Sequence, residues 1–160
     1  MIKTIAPIDT TQLLKEYYSL EAAIHWTDYG HKGKQAGLQY RENQDPWASA
    51  VGKQEADEHD YTILNPVLRG TIFEKLIVDY NMFRTRLMWV GPYACYSMHQ
   101  DSAPRIHIPI ITNPECYFVF KHRLPHHLPE GFAYWVDTTM YHTFINCSDK
   151  ARLHLVGVIV

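Results

Sequence analysis

Residues 84–112, RTRLMWVGPYACYSMHQDSAPRIHIPIIT, decide the fold class. Alternate side chains of its last strand-like segment fall into two sets: Arg105, His107 and Pro109 in one, and Ile106, Ile108 and Ile110 in the other. Successive residues of a strand point to opposite faces of a sheet, so this period of two predicts a strand with an apolar face and a basic face. Residues 152–159 repeat the pattern, with Arg152 and His154 opposite leucines. Basic groups on such a face are unfavourable unless an anion satisfies them, so the pattern indicates an anionic ligand.

Strand periodicity extends from residue 84 to the end of the chain. Seven segments are predicted as strands: 84–90, 93–98, 105–112, 115–120, 132–136, 142–146 and 152–159. Two helices are predicted before them, one capped by Asp9 and Thr10 and running to about Ala23, and one opened by the capping box Thr71–Glu74. These elements predict a β-sandwich or barrel with helices packed outside, and an immunoglobulin-like sandwich fits the strand pattern too.

The bulk composition narrows the class of protein. A chain of 160 residues fits one domain, 1–160, with a helical and loop part over 1–82 and the strands over 83–160. A formal charge of −2 gives no electrostatic case for nucleic acid or an anionic membrane. No apolar run could span a bilayer, and the N-terminus lacks the apolar core of a signal peptide, so a cytoplasmic location is expected.

A candidate metal site combines residues that are distant in the sequence. His99 and Asp101, two apart, can project to the same side and reach one cation, although chance alone often supplies such a pair. His142 opens a strand 41 residues after Asp101, far enough to return to the same place across a barrel. Two histidines and one carboxylate form the facial triad expected of a non-haem Fe(II) site with open coordination positions.

Arg152 supplies a partner for a keto acid at that site. Open metal positions can hold one carboxylate and the keto oxygen of 2-oxoglutarate and leave a place for O2. The distal carboxylate then needs a bidentate cation, and an arginine serves better than a lysine. Arg152 follows His142 by ten residues across the polar turn 147–150, which predicts that the two strands form a hairpin.

Taken together, these residues resemble the aspartyl/asparaginyl β-hydroxylase family. The resemblance covers about 84–160 and consists of the following segments: Arg84-Thr-Arg-Leu87, Gly91-Pro92, Met98-His-Gln-Asp101, Arg105-Ile-His-Ile-Pro109, Gly131 before a strand ending at Asp137, His142 with Asn146, and Arg152-Leu-His-Leu-Val156. It implies a mainly β fold, a double-stranded β-helix (cupin-like jelly-roll barrel) with N-terminal helices packed outside. It also implies an Fe(II)- and 2-oxoglutarate-dependent dioxygenase that uses O2 to hydroxylate an amino acid or peptidyl side chain.

The resemblance also implies roles for individual residues. His99, Asp101 and His142 would be the catalytic metal ligands, and Arg152 and His107 would contact 2-oxoglutarate. Arg105 would lie near cosubstrate or substrate; as a substrate contact it favours a small-molecule or peptide substrate that bears a carboxylate. The alternatives for Arg105 are a contact with 2-oxoglutarate and an ion pair with an acid such as Glu115. The alternatives for the whole chain are a non-catalytic cupin-like protein that binds a metal or small ligand, and an inactive interaction domain.

Overall fold

The structure, a computed structural model, describes residues 1–159. Its two α-helices are α1 (Thr10–Leu20) and α2 (Ile72–Asp79). Its strands are β1 (Ile2–Pro7), β2 (Thr27–Asp28), β3 (Gly33–Gly37), β4 (Gln39–Tyr40), β5 (Ile63–Leu64), β6 (Phe83–Val90), β7 (Arg105–Ile111), β8 (Cys116–Phe120), β9 (Phe132–Val136), β10 (His142–Asn146) and β11 (Arg152–Val158). No helix within residues 1–159 is long and apolar enough to cross a membrane.

Two facing sheets make up the body of the protein, which is the predicted mainly β jelly roll. The large sheet has seven antiparallel strands in the order β1-β9-β7-β11-β6-β3-β2. A second sheet pairs β10 with β8, and a small one pairs β4 with β5. The sheets do not close into one continuous barrel among the described residues, and a cavity lies between them.

The two faces of the large sheet differ in the side chains they carry, as the alternation along β7 and β11 predicted. On the outer face, Ile106, Ile108 and Ile110 join one apolar core with Leu153 and Leu155. On the inner face, Arg105, His107 and Arg152 line the space opposite β8 and β10. Strands β7 and β11 therefore separate an apolar core from a cavity, and this places their charged side chains inside the molecule.

Both predicted helices cover the outer face. The side chain of Asp9 accepts the Gln12 amide and caps α1, and Thr71 Oγ1 accepts the Glu74 amide at the start of α2. The apolar residues that the helices bury against the sheet are Leu13, Tyr17, Ile72, Phe73, Leu76 and Ile77. Each fully buried side chain of this size contributes roughly 1.5–3 kcal/mol, so this layer holds the helices in place.

Three predictions about elements were wrong. Segment 93–98 is not a strand and forms a single bridge, between Cys95 and Ile145. A short strand near Leu38–Tyr40 was expected in the N-terminal part and is present as β4, but β1, β2 and β3, which belong to the large sheet, were not predicted. Strands β10 and β11 do not form a hairpin: β10 pairs with β8, whereas β11 pairs with β6 and β7.

The turn between β10 and β11 carries the chain from one sheet to the other. The Asn146 side-chain amide donates to the carbonyl oxygens of Gly91 (2.9 Å) and Lys150 (2.7 Å). Its oxygen accepts the amide of Ser148 at 3.1 Å. This crossing puts Arg152 on the large sheet, opposite the sheet that carries His142.

Candidate metal-binding site

The structure brings His99, Asp101 and His142 together at the mouth of the cavity. One donor atom from each lies within 4.8 Å of the others. The Nε2 atoms of His99 and His142 are each 3.8 Å from a carboxylate oxygen of Asp101. His99 and His142 also exchange backbone hydrogen bonds of 2.9 and 2.8 Å. A backbone bridge therefore holds the two rings side by side although the residues are far apart in the chain.

Both histidine rings are oriented by backbone carbonyl groups. His99 Nδ1 lies 2.8 Å from the Ser97 oxygen, and His142 Nδ1 lies 2.9 Å from the Met140 oxygen. A carbonyl can only accept, so each Nδ1 carries the proton and each Nε2 presents a lone pair to the cluster. Burial lowers the pKa of His142, which favours the neutral form that a metal requires. Two imidazole nitrogens and one carboxylate suit a divalent transition metal.

The Asp101 carboxylate is held by Arg105. Arg105 Nε donates to Asp101 Oδ2 at 2.6 Å, and this leaves Oδ1 as the oxygen free for an ion. Burial raises the pKa of Asp101, but the hydrogen bond and charge of Arg105 outweigh it and lower the pKa below its usual value. Asp101 is therefore ionised at neutral pH and has a fixed orientation.

Glu58 holds Arg105 in turn, so the hydrogen-bond network continues beyond the three clustered residues. It accepts from Arg105 Nη2 at 3.0 and 3.2 Å, and it also accepts from Arg84 and from the Ser102 hydroxyl. Burial raises the pKa of Glu58, but Arg105, Ser102 and Arg84 together lower it to about 2. A buried carboxylate thus neutralises two buried arginines, one of which orients Asp101.

Behind the cluster lies a cavity of about 940 Å³ between the two sheets. Arg152 lines it, is only 2% exposed, and has its guanidinium carbon 3.4 Å from the centroid of the Phe144 ring. Its Nε has no hydrogen-bond partner, and no carboxylate within residues 1–159 forms an ion pair with it. Burial lowers the pKa of Arg152 to about 9, which leaves it protonated at neutral pH. A buried guanidinium without an anionic partner is unfavourable, so this side chain favours an anionic ligand in the cavity.

His107 lines the same cavity. Both of its ring nitrogens are buried and have no partner among the described residues. Burial, followed by the charge of Arg152, lowers the pKa of His107 well below its usual value. A neutral imidazole of this kind can donate one hydrogen bond to an anion in the cavity.

The sequence-predicted residues occupy one site, with one difference in detail. His99, Asp101, His142, His107, Arg152 and Arg105 all line the cavity. Arg105, however, pairs with Asp101 and Glu58 and not with Glu115, and only its Nη1 is left buried and unpartnered. Sequence reasoning missed Glu58, which begins a one-turn 3-10 helix (Glu58–Asp60) in a segment without periodicity. It also missed Arg86, which the alternation of 84, 86 and 88 along β6 could have indicated.

A jelly roll with two histidines and a carboxylate at the mouth of its cavity is a cupin-type protein with a candidate metal site. The chain belongs to the aspartyl/asparaginyl β-hydroxylase family, whose model matches residues 10–159. A search of curated proteins found no match.

Two solved structures resemble the chain at low sequence identity. The DMSP lyase DddQ from Ruegeria pomeroyi DSS-3 is 12% identical, with a TM-score of 0.51 over 98% of this chain and 76% of that chain. A cupin domain from Bordetella pertussis Tohama I is 18% identical, with a TM-score of 0.42 over 48% of this chain and 80% of that chain. At 12% identity the likeness to DddQ concerns the fold and not the activity.

Proposed function

We propose that the chain is an Fe(II)- and 2-oxoglutarate-dependent dioxygenase that hydroxylates an amino acid or a peptidyl side chain. One observation carries the proposal: a cavity that has two histidines and an aspartate at its mouth also contains a buried arginine that no carboxylate of residues 1–159 neutralises. Membership in a hydroxylase family supports it. When bound together, Fe(II), 2-oxoglutarate and O2 supply an oxidant that hydroxylates a C–H bond and leave succinate and CO2.

The metal would be held by His99, His142 and Asp101. The two histidines offer Nε2 because Ser97 and Met140 take the Nδ1 protons. Arg105 donates to Asp101 Oδ2, so Asp101 would offer its carboxylate to the ion in a fixed orientation. Three ligands on one side leave further positions for cosubstrate and O2.

The cosubstrate would be oriented by the residues deeper in the cavity. Arg152 would bind the distal carboxylate of 2-oxoglutarate, and its contact with the Phe144 ring limits the motion of the guanidinium. His107, with unpartnered ring nitrogens, would donate a hydrogen bond to the same ligand. Met88, Phe118 and Val156 form apolar parts of the wall and exclude water from it.

Anaerobic spectroscopy tests the proposal. Fe(II) and 2-oxoglutarate added to the protein without O2 are expected to give a weak visible charge-transfer band, because the 2-oxoglutarate would then coordinate the iron. His99→Ala and His142→Ala should lose the band, since each removes an imidazole ligand. His31→Ala, which changes an exposed histidine outside the cavity, is the matched control and should keep it.

A wild-type protein without such a band at saturating iron would contradict the proposal. A band without succinate formation across amino acids and peptides would instead favour a non-catalytic protein that binds a metal and a small ligand. The two measurements therefore separate binding from turnover.

A further inference from the structure

The buried charges of the cavity do not balance. Four buried arginines line it: Arg84, Arg86, Arg105 and Arg152. Only two carboxylates lie beside them below the surface, Glu58 and Asp101, and these are taken up by Arg84 and Arg105. Arg86 and Arg152 have no carboxylate partner among residues 1–159, and a bound divalent metal would add further positive charge. A dianionic cosubstrate at Arg152 leaves Arg86 without an anion.

Arg86 lies in the wall of the cavity and is only 6% exposed. Its Nη1 donates to Gln35 Oε1 at 3.3 Å, and its Nε is buried without a partner. Burial and the neighbouring charges of Arg84 and Arg105 lower the pKa of Arg86 to about 9, so it too remains protonated at neutral pH. A neutral amide is its sole hydrogen-bond partner among the described residues, and this is an unfavourable state for a buried guanidinium.

The backbone positions of the two unpaired arginines lie well apart along the strands. Arg86 on β6 pairs with Val156 on β11, which in turn pairs with His107 on β7. Arg152 pairs with Val90, four residues further along β6. At roughly 3.3 Å per residue, the two positions are about 13 Å apart along the strands. A carboxylate that Arg152 binds in a bidentate manner uses both of its oxygens, so Arg86 needs a different anionic group.

We propose that Arg86, with Gln35 beside it, binds an anionic group of a second organic ligand, so that the substrate of this site is a carboxylic acid or an equivalent anion. The inference rests on the proposed function for the identity of the first ligand, 2-oxoglutarate at Arg152. It assigns the substrate contact to Arg86 and leaves Arg105 as the residue that orients Asp101. Arg105 already donates to two carboxylates, whereas Arg86 donates to none.

Acetate serves as the probe, with acetamide as a neutral molecule of similar shape and sodium chloride as the ionic-strength control. The metal-free Arg152→Gln protein isolates Arg86 as the unpaired guanidinium. In this protein, acetate at about ten times its dissociation constant should raise Tm by about 3–5 °C, and acetamide should not. When Arg86→Gln is added to the Arg152→Gln protein, acetate should no longer raise Tm. Arg86→Lys in the same background should keep part of the rise in Tm. Arg69→Gln, an exposed arginine outside the cavity, should change nothing.

A second arm separates substrate from cosubstrate. With Mn(II) and saturating 2-oxoglutarate, acetate should still raise the Tm of the wild-type protein. It should not raise the Tm of Arg86→Gln, although the 2-oxoglutarate affinity of this variant should stay within about twofold of wild type. An acetate shift that survives Arg86→Gln in either arm overturns the inference. A shift abolished by 2-oxoglutarate also overturns it, because Arg86 would then belong to the cosubstrate. The metal-free arm needs neither iron nor 2-oxoglutarate, so it decides the role of Arg86 even if the proposed function fails.

Discussion

Arg152 is buried against the Phe144 ring and has no acidic partner among residues 1–159, so its charge depends on a ligand. We expect Arg152→Ala to weaken 2-oxoglutarate binding more than tenfold, because loss of a buried charge-assisted pair typically costs roughly 2–5 kcal/mol. Fe(II) affinity should change little. Arg152→Lys should recover only part, since an ammonium cannot reproduce the two parallel hydrogen bonds. Titration of 2-oxoglutarate into the Mn(II) protein measures both effects.

The control for this prediction is Arg69→Ala, which removes an exposed arginine that does not line the cavity. Wild-type affinity in both Arg152 variants would mean that Arg152 is structural and that 2-oxoglutarate binds elsewhere.

For single residues, the sequence predicted the three clustered metal-ligand candidates but not the residues that orient them. His99 and Asp101 were found through their spacing, and His142 through its place at the start of a strand. The role of Arg105 was left open, because its neighbours are set by folding and not by sequence distance. Glu58, which holds Arg105, lies 47 residues away in the chain. Such a contact leaves no periodic signal in a single sequence.

The loop that carries Glu58 closes one side of the cavity. Glu58→Gln preserves the shape but removes the charge that two buried arginines share, so Arg105 should orient Asp101 less firmly. Groups that orient metal ligands change metal affinity by roughly 10–100-fold, and we expect a loss of Fe(II) affinity in this range. The measurement is a metal titration at a temperature where the variant is folded, as judged by circular dichroism.

Glu55→Gln is the matched control, because Glu55 lines the cavity mouth in the same loop but is exposed. Unchanged iron affinity in a folded Glu58→Gln protein would show that the Arg84–Glu58–Arg105 arrangement stabilises the fold alone.

At the element scale, the strands with clear alternation were predicted to within a residue or two, as for β7 and β9. Segment 93–98 has a suitable composition, yet it turns toward the metal cluster and makes one bridge only. Strands β1 and β3 escaped prediction because they carry little apolar alternation. Pairing between β10 and β11 was predicted from their proximity in the chain, but the jelly roll sends consecutive strands to opposite sheets.

For the whole molecule, two buried histidines predict how stability depends on pH. Burial lowers the pKa of His107 and His154 well below the usual value, so the unfolded state binds more protons than the folded state below about pH 6.5. The free energy of unfolding should therefore be fully retained above about pH 6.5 and fall as the pH drops. Each histidine contributes a slope of up to about 1.4 kcal/mol per pH unit.

His154→Leu should reduce this slope, because it removes one buried group that the unfolded state protonates. Urea unfolding of the metal-free protein between pH 8 and pH 5 measures the difference. His31→Leu, a change at an exposed histidine, should leave the slope as in wild type. Identical slopes in all three proteins would mean that His154 keeps its usual proton affinity in the folded protein.

The strand order of the large sheet also bears on how the protein is made. Strand β11 lies between β6 and β7, although it is synthesised after both of them. Until β11 leaves the ribosome, the facing edges of β6 and β7 have no partner strand. Uncovered strand edges favour pairing with other chains. Strands β1-β9-β7 and β6-β3-β2 can pair before β11 is made, but the two halves can join only through β11. Arg152 arrives with the same strand, so the anion site also waits for β11. Completion of the large sheet therefore waits for β11, and a holdase chaperone that covers strand edges would have its greatest effect before that strand is available.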